Sequence, residues 1–152
     1  MRLTVGHTPD ADDAFMFYAI ANNKVRLDDI YIEHVIEDIE TLNRMAINNE
    51  LDVTAVSAHT YAYTKDYVIL RSGASFGLSY GPMLVSRGDA THKDIVTRLE
   101  EGRCTIAVPG RLTTAYLLLM LALKDYRFNT VEARFDTIED LVLDGRVDLG
   151  LI

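Results

Sequence analysis

The chain has a single cysteine, three prolines, no tryptophan and no long apolar run. One cysteine, Cys104, cannot form an internal disulfide, which suits a reducing compartment, and we predict that it is a small buried apolar residue. No stretch of 18 apolar residues occurs, so we expect no membrane-spanning helix. The 15 basic residues are outnumbered by 23 acidic ones, and the formal charge is −8. This excess of negative charge disfavours non-specific binding to nucleic acid or to an anionic membrane.

Several other signatures are also missing. The first residues lack the charged, apolar and cleavage regions of a secretory signal, so we expect a cytoplasmic protein, the alternative being a signal that was removed. No glycine-rich nucleotide-binding motif and no zinc-ligand spacing occurs, and Ser57 has no Gly-x-Ser-x-Gly surroundings. These absences argue against nucleoside triphosphate hydrolysis, a zinc centre and a serine nucleophile.

The pattern that is present is an alternation of strands and helices. Predicted strands cover residues 3–6, 30–36, 53–56, 68–71, 105–108, 131–134 and 147–152. Predicted helices cover residues 11–22, 38–48, 57–64, 90–101, 113–126 and 137–143. Such alternation with short loops predicts an α/β fold with mainly parallel sheets. Apolar spacing predicts two buried helix faces, formed by Phe15, Tyr18 and Ala19 and by Leu42, Met45 and Ala46.

The chain length allows one domain or two small lobes. The extended segment 81–86 is the best candidate for a crossing between sheets, with a boundary near residues 85–89. We therefore predict a first α/β lobe over 1–88 and part of a second α/β lobe over 89–152. Only three predicted strands follow residue 90, which is few for an independent sheet.

Two loops share one design. Residues 5–15 and residues 108–116 each join a predicted strand to a helix, and both are rich in hydroxyl or acidic side chains. Ligands of α/β proteins collect at the carboxyl ends of strands, where helix N-termini present unpaired N–H groups. We therefore expect two lobes that face one ligand.

The first loop and the strand ends supply the first candidate residues. The first loop contains three carboxylates, Asp10, Asp12 and Asp13. One of them is expected to cap the helix, and another is free to contact a ligand. The sequence indicates a metal site at this cluster only weakly. His7 and His59 lie at strand ends, where each either packs against the protein or contacts a ligand. The other two histidines, at positions 34 and 92, are expected to be structural or solvated.

Hydroxyl groups supply the other candidates. Ser57 begins a helix, so its side chain is expected to cap that helix or to reach a ligand. Thr113 and Thr114 open an apolar helix after a glycine, and Arg111 lies beside them. A helix N-terminus next to an arginine favours an anion or a carboxylate.

Four motifs in this order resemble the 1,4-dihydroxy-6-naphthoate synthase family of the futalosine route to menaquinone. The resemblance extends over essentially all 152 residues. The motifs are His7-Thr8-Pro9-Asp10-Ala11-Asp12-Asp13-Ala14-Phe15-Met16-Phe17, Glu37-Asp38-Ile39-Glu40-Thr41-Leu42-Asn43, Leu70-Arg71-Ser72-Gly73, and Val108-Pro109-Gly110-Arg111-x-Thr113-Thr114-Ala115-Tyr116.

The resemblance implies a two-lobed fold like that of type II periplasmic binding proteins, used inside the cell as an enzyme. It implies cleavage of cyclic dehypoxanthinyl futalosine to the dihydroxynaphthoate without a metal or organic cofactor. It places Asp13 at the acidic position of the first loop, Ser57 at a ligand-facing strand end, and Thr113 and Thr114 at the helix that grips a polar substrate group. Many members carry Ser-Pro-Cys-Pro-Asn-Asp-Thr-Phe in the first loop, whereas this chain has the acidic variant.

Family members also continue beyond the strand that matches residues 150–152 into a histidine, which the resemblance implies is the general base. Here that base is expected to lie beyond Ile152. The last predicted strand lacks a covering helix, and exposed parallel edges favour association. We therefore expect a fragment that acts on a small-molecule carboxylate substrate and forms a homodimer or associates with the missing C-terminal part. His7 or His59 is the substitute base only if the short chain is active.

Other functions fit the same features. A non-catalytic solute-binding protein of this architecture would bind its ligand without turnover. The sister chorismate dehydratase of the same pathway shares the fold, but the first-loop motif suits the synthase better. A regulatory effector-binding domain is a more distant alternative, because no DNA-binding helix pair or basic patch accompanies the pattern.

Overall fold

A computed structural model describes residues 1–25, 27–88 and 90–152. Within it the chain divides into two compact units, Met1–Gly77 and Leu78–Ile152. This division falls about ten residues before the boundary that the sequence predicts near residues 85–89. Residue 89 itself lies outside the described residues. No helix in the described part of the chain is long and apolar enough to cross a membrane.

The first unit is built on a three-stranded parallel sheet in the order β2-β1-β3. The strands are β1 (Arg2–His7), β2 (Tyr31–Ile36) and β3 (Val53–Thr54). The helices are α1 (Ala11–Ala21), α2 (Ile39–Ile47) and α3 (Ala58–Tyr61). Strand β1 is central. The chain passes from β1 to β2 on one side and then returns to β3 on the other side of β1. The gap between β1 and β3 is therefore a topological switch point. Open α/β sheets bind ligands beyond the carboxyl ends of strands at such a point.

Helix α2 supplies much of the core of the first unit. The prediction of its buried face is confirmed at Leu42 and Ala46, which are almost completely buried. The helix packs closely on the sheet at Gly6, where an added Cβ would lie 2.8 Å from Leu42 Cδ2 and 2.6 Å from Leu51 Cδ1. Glycine at this position therefore allows the helix and the central strand to approach each other.

Two predictions for the first unit were wrong. Phe15 and Tyr18 were predicted to face the core, but they are 84% and 52% exposed, and the buried residue of α1 is Asp13. Apolar spacing misled here because the face of α1 turned toward β1 carries Asp13 and, four residues later, Phe17, which stacks on His7. Residues 68–71 were predicted as a strand but form no strand and are exposed, Val68 by 82%. Their apolar, β-branched composition fits a strand locally, yet they gain no ladder partner.

The second unit contains a four-stranded sheet in the order β4-β7-β5-β6. Its strands are β4 (Leu84–Val85), β5 (Cys104–Val108), β6 (Phe128–Glu132) and β7 (Leu149–Leu151). Strand β5 pairs in parallel with β6 and β7, whereas β4 pairs antiparallel with β7. The sheet thus has one strand more than the three predicted, because the extended segment 81–86 contributes an edge strand. Strand β6 begins three residues earlier than expected.

Helices α4 (His92–Glu100), α5 (Thr114–Ala122) and α6 (Ile138–Leu143) complete the second unit, with a short 3₁₀ turn at Phe135–Thr137. Its core contains the fully buried residues Ile106, Val108 and Leu149. Gly150 of β7 lies against α6, since an added Cβ would be 2.5 Å from Ile138 Cγ2. Together the two units confirm the predicted fold class, α/β with mainly parallel sheets.

Candidate functional site

The carboxyl edge of the sheet in the first unit gathers three segments of the predicted site. Strand β1 ends at His7, directly before the acidic loop. The Glu37 N–H after β2 donates to His7 O (3.3 Å), and the Ala55 N–H after β3 donates to Gly6 O (2.8 Å). Ser57 follows two residues later. The first-loop motif, the start of the second motif and Ser57 therefore share one edge of one sheet.

The acidic loop is held together by its own side chains. The Thr8 N–H donates to Asp13 Oδ2 at 2.6 Å. The Thr8 hydroxyl lies 3.0 Å from Asp13 Oδ2 and 3.0 Å from Asp10 Oδ2, so its single proton serves one carboxylate at a time. The Asp13 N–H donates to Asp12 Oδ1 at 3.1 Å. Asp10 is the N-cap residue of α1, but its side chain makes no capping hydrogen bond.

This geometry gives Asp13 a role inside the loop. Asp13 is 6% exposed, and its carboxylate accepts hydrogen bonds from the backbone and side chain of Thr8, which is also buried. Asp13 thereby fixes the first turn after β1, and its contact with a ligand stays a prediction. Within the described residues, no group of three or more histidine, cysteine, aspartate or glutamate side chains could hold a metal ion.

His7 is buried among aromatic rings at the end of β1. Its ring stacks on Phe17 with centroids 4.5 Å apart. Its Nε2 lies 3.0 Å from Nδ1 of His34, and its Nδ1 lies 3.2 Å from Thr8 O. Burial and the adjacent His7 lower the pKa of His34. Of the two positions expected for His34, structural or solvated, the structure shows the structural one. His7 is packed and hydrogen-bonded, and its contact with a ligand stays a prediction.

Ser57 is held in place by Asn43, a residue for which the sequence predicts no role. Ser57 is the N-cap residue of α3 but makes no side-chain capping hydrogen bond, so the first of its two expected roles is not seen, and the second, contact with a ligand, stays a prediction. Instead the Ser57 N–H donates to Asn43 Oδ1 (2.9 Å), and Asn43 Nδ2 donates to Ser57 Oγ (3.0 Å). In the sequence, Asn43 is the last residue of the second motif, directly after the apolar Leu42, and nothing there points to a polar role.

His59 lies on the short helix α3, two residues beyond Ser57. Its Nε2 is 3.3 Å from the Tyr63 hydroxyl, and the two rings meet edge to face with centroids 5.4 Å apart. His59 is half-buried, whereas Tyr63 is exposed. The structure thus brings His59 next to Tyr63, and ligand contact by His59 stays a prediction.

The second unit presents a similar edge at the end of β5. Gly110 follows this strand with φ of 144°, a backbone conformation that favours glycine. The Thr113 hydroxyl donates to Gly110 O (2.8 Å) and accepts from the Tyr116 N–H (3.1 Å). Thr113 is buried and caps α5. Thr114, the first residue of α5, is half-buried at the same edge.

Arg111 is directed along the neighbouring strand β6. Its Nε lies 3.3 Å from Glu132 Oε1, and its Nη2 lies 3.3 Å from Thr130 Oγ1. Arg111 is exposed, so this ion pair is weak and can exchange for another anion. The structure therefore keeps Arg111 at the edge of the loop 108–116 but pairs it with a protein carboxylate.

A cavity of about 200 Å³ lies at the opposite, amino-terminal edge of the second sheet. It is lined by Cys104, Leu149 and the ion-paired side chains Arg98 and Asp148. Burial, and to a lesser degree the charge of Asp148, raises the pKa of Cys104 to about 11. The burial of Cys104 confirms the prediction that it is a small buried residue, and its position sets this cavity apart from the predicted site residues.

Comparisons with known proteins bear on this arrangement. A family model described as menaquinone biosynthesis matches residues 3–152. The 1,4-dihydroxy-6-naphtoate synthase of Thermus thermophilus is 42% identical over 151 residues, a match that covers 99% of this chain and 52% of that protein. The chain spans about half the length of the curated relatives it matches.

Solved structures agree with the fold. The crystal structure of protein AF1704 from Archaeoglobus fulgidus has a TM-score of 0.85 at 53% identity, covering 99% of this chain and 53% of that one. The ancestral amino acid-binding protein AncCDT-1 has a TM-score of 0.59 at 15% identity, covering 99% of this chain and 69% of that one, and this likeness concerns the fold alone. The predicted likeness to type II periplasmic binding proteins is confirmed. With a family model matching all but its first two residues, the chain belongs to the menaquinone biosynthesis family.

Proposed function

We propose that this chain is part of a lyase that converts cyclic dehypoxanthinyl futalosine to 1,4-dihydroxy-6-naphthoate. The observation that supports this most strongly is the family match over residues 3–152, together with 42% identity to a protein named 1,4-dihydroxy-6-naphtoate synthase. Residues of the first, second and fourth motifs lie at the carboxyl edge of a sheet, where α/β proteins bind ligands. The fold likeness to amino acid-binding proteins carries no function at 15% identity, so a solute-binding role has no observation of its own.

The proposed roles follow from the chemistry of each side chain. Ser57 and Thr114 are proposed to hydrogen-bond polar groups of the substrate, while Thr113 and Asp13 hold the helix and the loop that present them. Arg111 is proposed to leave Glu132 and pair with the substrate carboxylate, a charge-assisted contact stronger than its exposed ion pair. Fragmentation begins when a base removes a proton. The resemblance implies that this base is a histidine following the segment that matches residues 150–152.

Turnover and binding are tested separately because relatives are about twice as long. Turnover is measured by chromatographic detection of the dihydroxynaphthoate, with the chain alone and with the chain co-expressed with the second half of the Thermus thermophilus relative. We expect product from the co-expressed pair. If the chain alone forms product, His7→Gln and His59→Gln variants identify the substitute base. Absence of product in both preparations contradicts the proposed function.

Binding is measured by calorimetric titration with 1,4-dihydroxy-6-naphthoate. We expect Ser57→Ala and Thr114→Ala each to weaken binding by roughly tenfold, equivalent to about 1.4 kcal/mol, the size of one hydrogen bond to a charged or polar group. Ser75→Ala is the control, since Ser75 is exposed in an irregular segment. Thermal unfolding of all three variants should match that of the unmodified protein. Unchanged affinity in both site variants would remove the site assignment.

A further inference from the structure

Asn43 is a completely buried amide whose side chain meets Ser57 twice. It lies on α2, directly after the core residue Leu42 and three residues before the core residue Ala46, and its exposed fraction is 0%. Its Oδ1 accepts from the Ser57 N–H at 2.9 Å, and its Nδ2 donates to Ser57 Oγ at 3.0 Å. A buried amide costs little free energy only when its oxygen and nitrogen both form hydrogen bonds. Here both atoms bond to Ser57.

The orientation of this amide is fixed by chemistry. A backbone N–H can only donate, so the atom facing the Ser57 N–H must be the oxygen of Asn43. The nitrogen of Asn43 therefore faces Ser57 Oγ, and because that nitrogen only donates, Oγ must accept. The one proton of the Ser57 hydroxyl then points away from Asn43. The Ser57 side chain makes no capping hydrogen bond to α3.

We propose that Asn43 is a positioning residue that makes the Ser57 hydroxyl a hydrogen-bond donor toward the bound substrate. The inference rests on the proposed function in taking Ser57 as a substrate-binding residue. It adds that the substrate group in front of Ser57 is an acceptor, namely a carboxylate or carbonyl oxygen. A substrate donor would have only the second lone pair of Oγ, because Asn43 Nδ2 already occupies the first, whereas an acceptor meets the free hydroxyl proton.

Helix α2 makes this arrangement rigid. Its N-terminus is capped by Asp38, whose Oδ1 accepts from the N–H groups of Glu40 and Thr41 at 3.0 and 3.1 Å. Asn43 is itself completely buried, so its side chain cannot turn away from Ser57 without disturbing the surrounding packing. A hydroxyl oriented before binding loses less entropy when the ligand arrives, which increases affinity.

The first test exchanges the donor for an acceptor. In Asn43→Asp the carboxylate keeps the size of the amide but cannot donate to Ser57 Oγ, so the hydroxyl turns its proton toward the carboxylate. We expect affinity for 1,4-dihydroxy-6-naphthoate to fall at least tenfold. Asn129→Asp, an exposed position with the same change in net charge, controls for repulsion of the anionic ligand. We expect it to bind within about twofold of the unmodified protein.

A double variant separates positioning from general structural damage. If Asn43 acts through Ser57, then Asn43→Asp combined with Ser57→Ala binds no more weakly than Ser57→Ala alone. If the two losses multiply, Asn43 has an independent structural effect and the positioning role is overturned.

A measurement without ligand keeps the inference testable if Asn43→Asp does not fold. In nitrogen-labelled protein, the side-chain NH₂ protons of Asn43 should exchange slowly with water and shift in Ser57→Ala. Exchange as fast as that of Asn129 would overturn the inference. If the unmodified protein does not bind the naphthoate, the proposed function fails, and the exchange measurement alone decides whether Asn43 holds Ser57.

Discussion

The imidazole rings of His7 and His34 share a hydrogen bond of 3.0 Å across β1 and β2. Because Thr8 O only accepts, Nδ1 of His7 carries a proton, and Nε2 of a neutral His7 accepts from Nδ1 of His34. Two neutral rings therefore satisfy the geometry. Protonation of both rings would set two donors and two positive charges against each other beside Phe17, which stacks on His7.

The first prediction concerns acid sensitivity of this pair. Burial and the adjacent His7 lower the pKa of His34 below the ordinary histidine value of 6.5. The folded state thus binds the proton less readily than the unfolded state. The stability contribution is complete above pH 6.5 and declines as the pH falls from 6.5 through the lower pKa of the folded state. Thermal unfolding measured between about pH 7.5 and about pH 5 should show this decline.

His34→Gln should make the same pH dependence shallower, because glutamine does not titrate. His92→Gln is the control, since His92 is exposed at the start of α4 and should leave the slope unchanged. Equal slopes for the unmodified protein and His34→Gln would show that the His7–His34 pair does not govern acid sensitivity.

The second prediction concerns Cys104. Its thiol is fully buried, and burial raises its pKa to about 11, so at pH 8 only about one molecule in a thousand carries a thiolate. Reaction with Ellman's reagent should therefore require opening of the second unit. We expect it to be at least ~100-fold slower than in unfolding concentrations of urea. Ser75→Cys adds an exposed thiol as an internal standard for fast reaction. Equally fast reaction of both thiols would contradict the burial of Cys104.

The third prediction concerns the N-terminus of α4, which Thr91 caps. The Thr91 hydroxyl accepts from the Asp94 N–H, and the Asp94 carboxylate accepts from the Thr91 N–H, which together form a capping box. Thr91→Ala removes one half of it and should lower the free energy of unfolding by about 0.5–2 kcal/mol. Thr91→Ser keeps the hydroxyl and should recover most of the loss. Urea denaturation followed by circular dichroism measures both, and equal losses in the two variants would exclude capping as the cause.

Features with a local physical cause could be read from the sequence. The apolar face of α2 was predicted from helical spacing and is buried at Leu42 and Ala46. Thr113 caps α5 because a threonine hydroxyl before an apolar run accepts a first-turn N–H. The parallel sheets follow from the regular alternation of strands and helices.

Features that depend on distant partners could not be read in the same way. Apolar spacing places Phe15 and Tyr18 on one face of α1, but nothing local shows that the side turned inward would carry Asp13. Asn43 is an ordinary helix residue until the fold brings Ser57, 14 positions later, within 3.0 Å. Candidate site residues were found at strand ends by general rules for α/β folds, whereas the residues that orient them required the three-dimensional arrangement.

The last prediction tests how closely α6 approaches the sheet. A methyl group at Gly150 would lie 2.5 Å from Ile138 Cγ2 and 3.0 Å from Val142 Cγ2, so Gly150→Ala must push α6 away from β7. We expect a loss of about 1–3 kcal/mol in the free energy of unfolding, measured by urea denaturation. Gly81→Ala is the matched control, because nothing lies within 4 Å of the added methyl group. In an Ile138→Ala background the clash is relieved, and Gly150→Ala should cost less than in the unmodified protein. If Gly150→Ala and Gly81→Ala changed stability equally, the close packing of α6 on β7 would be wrong.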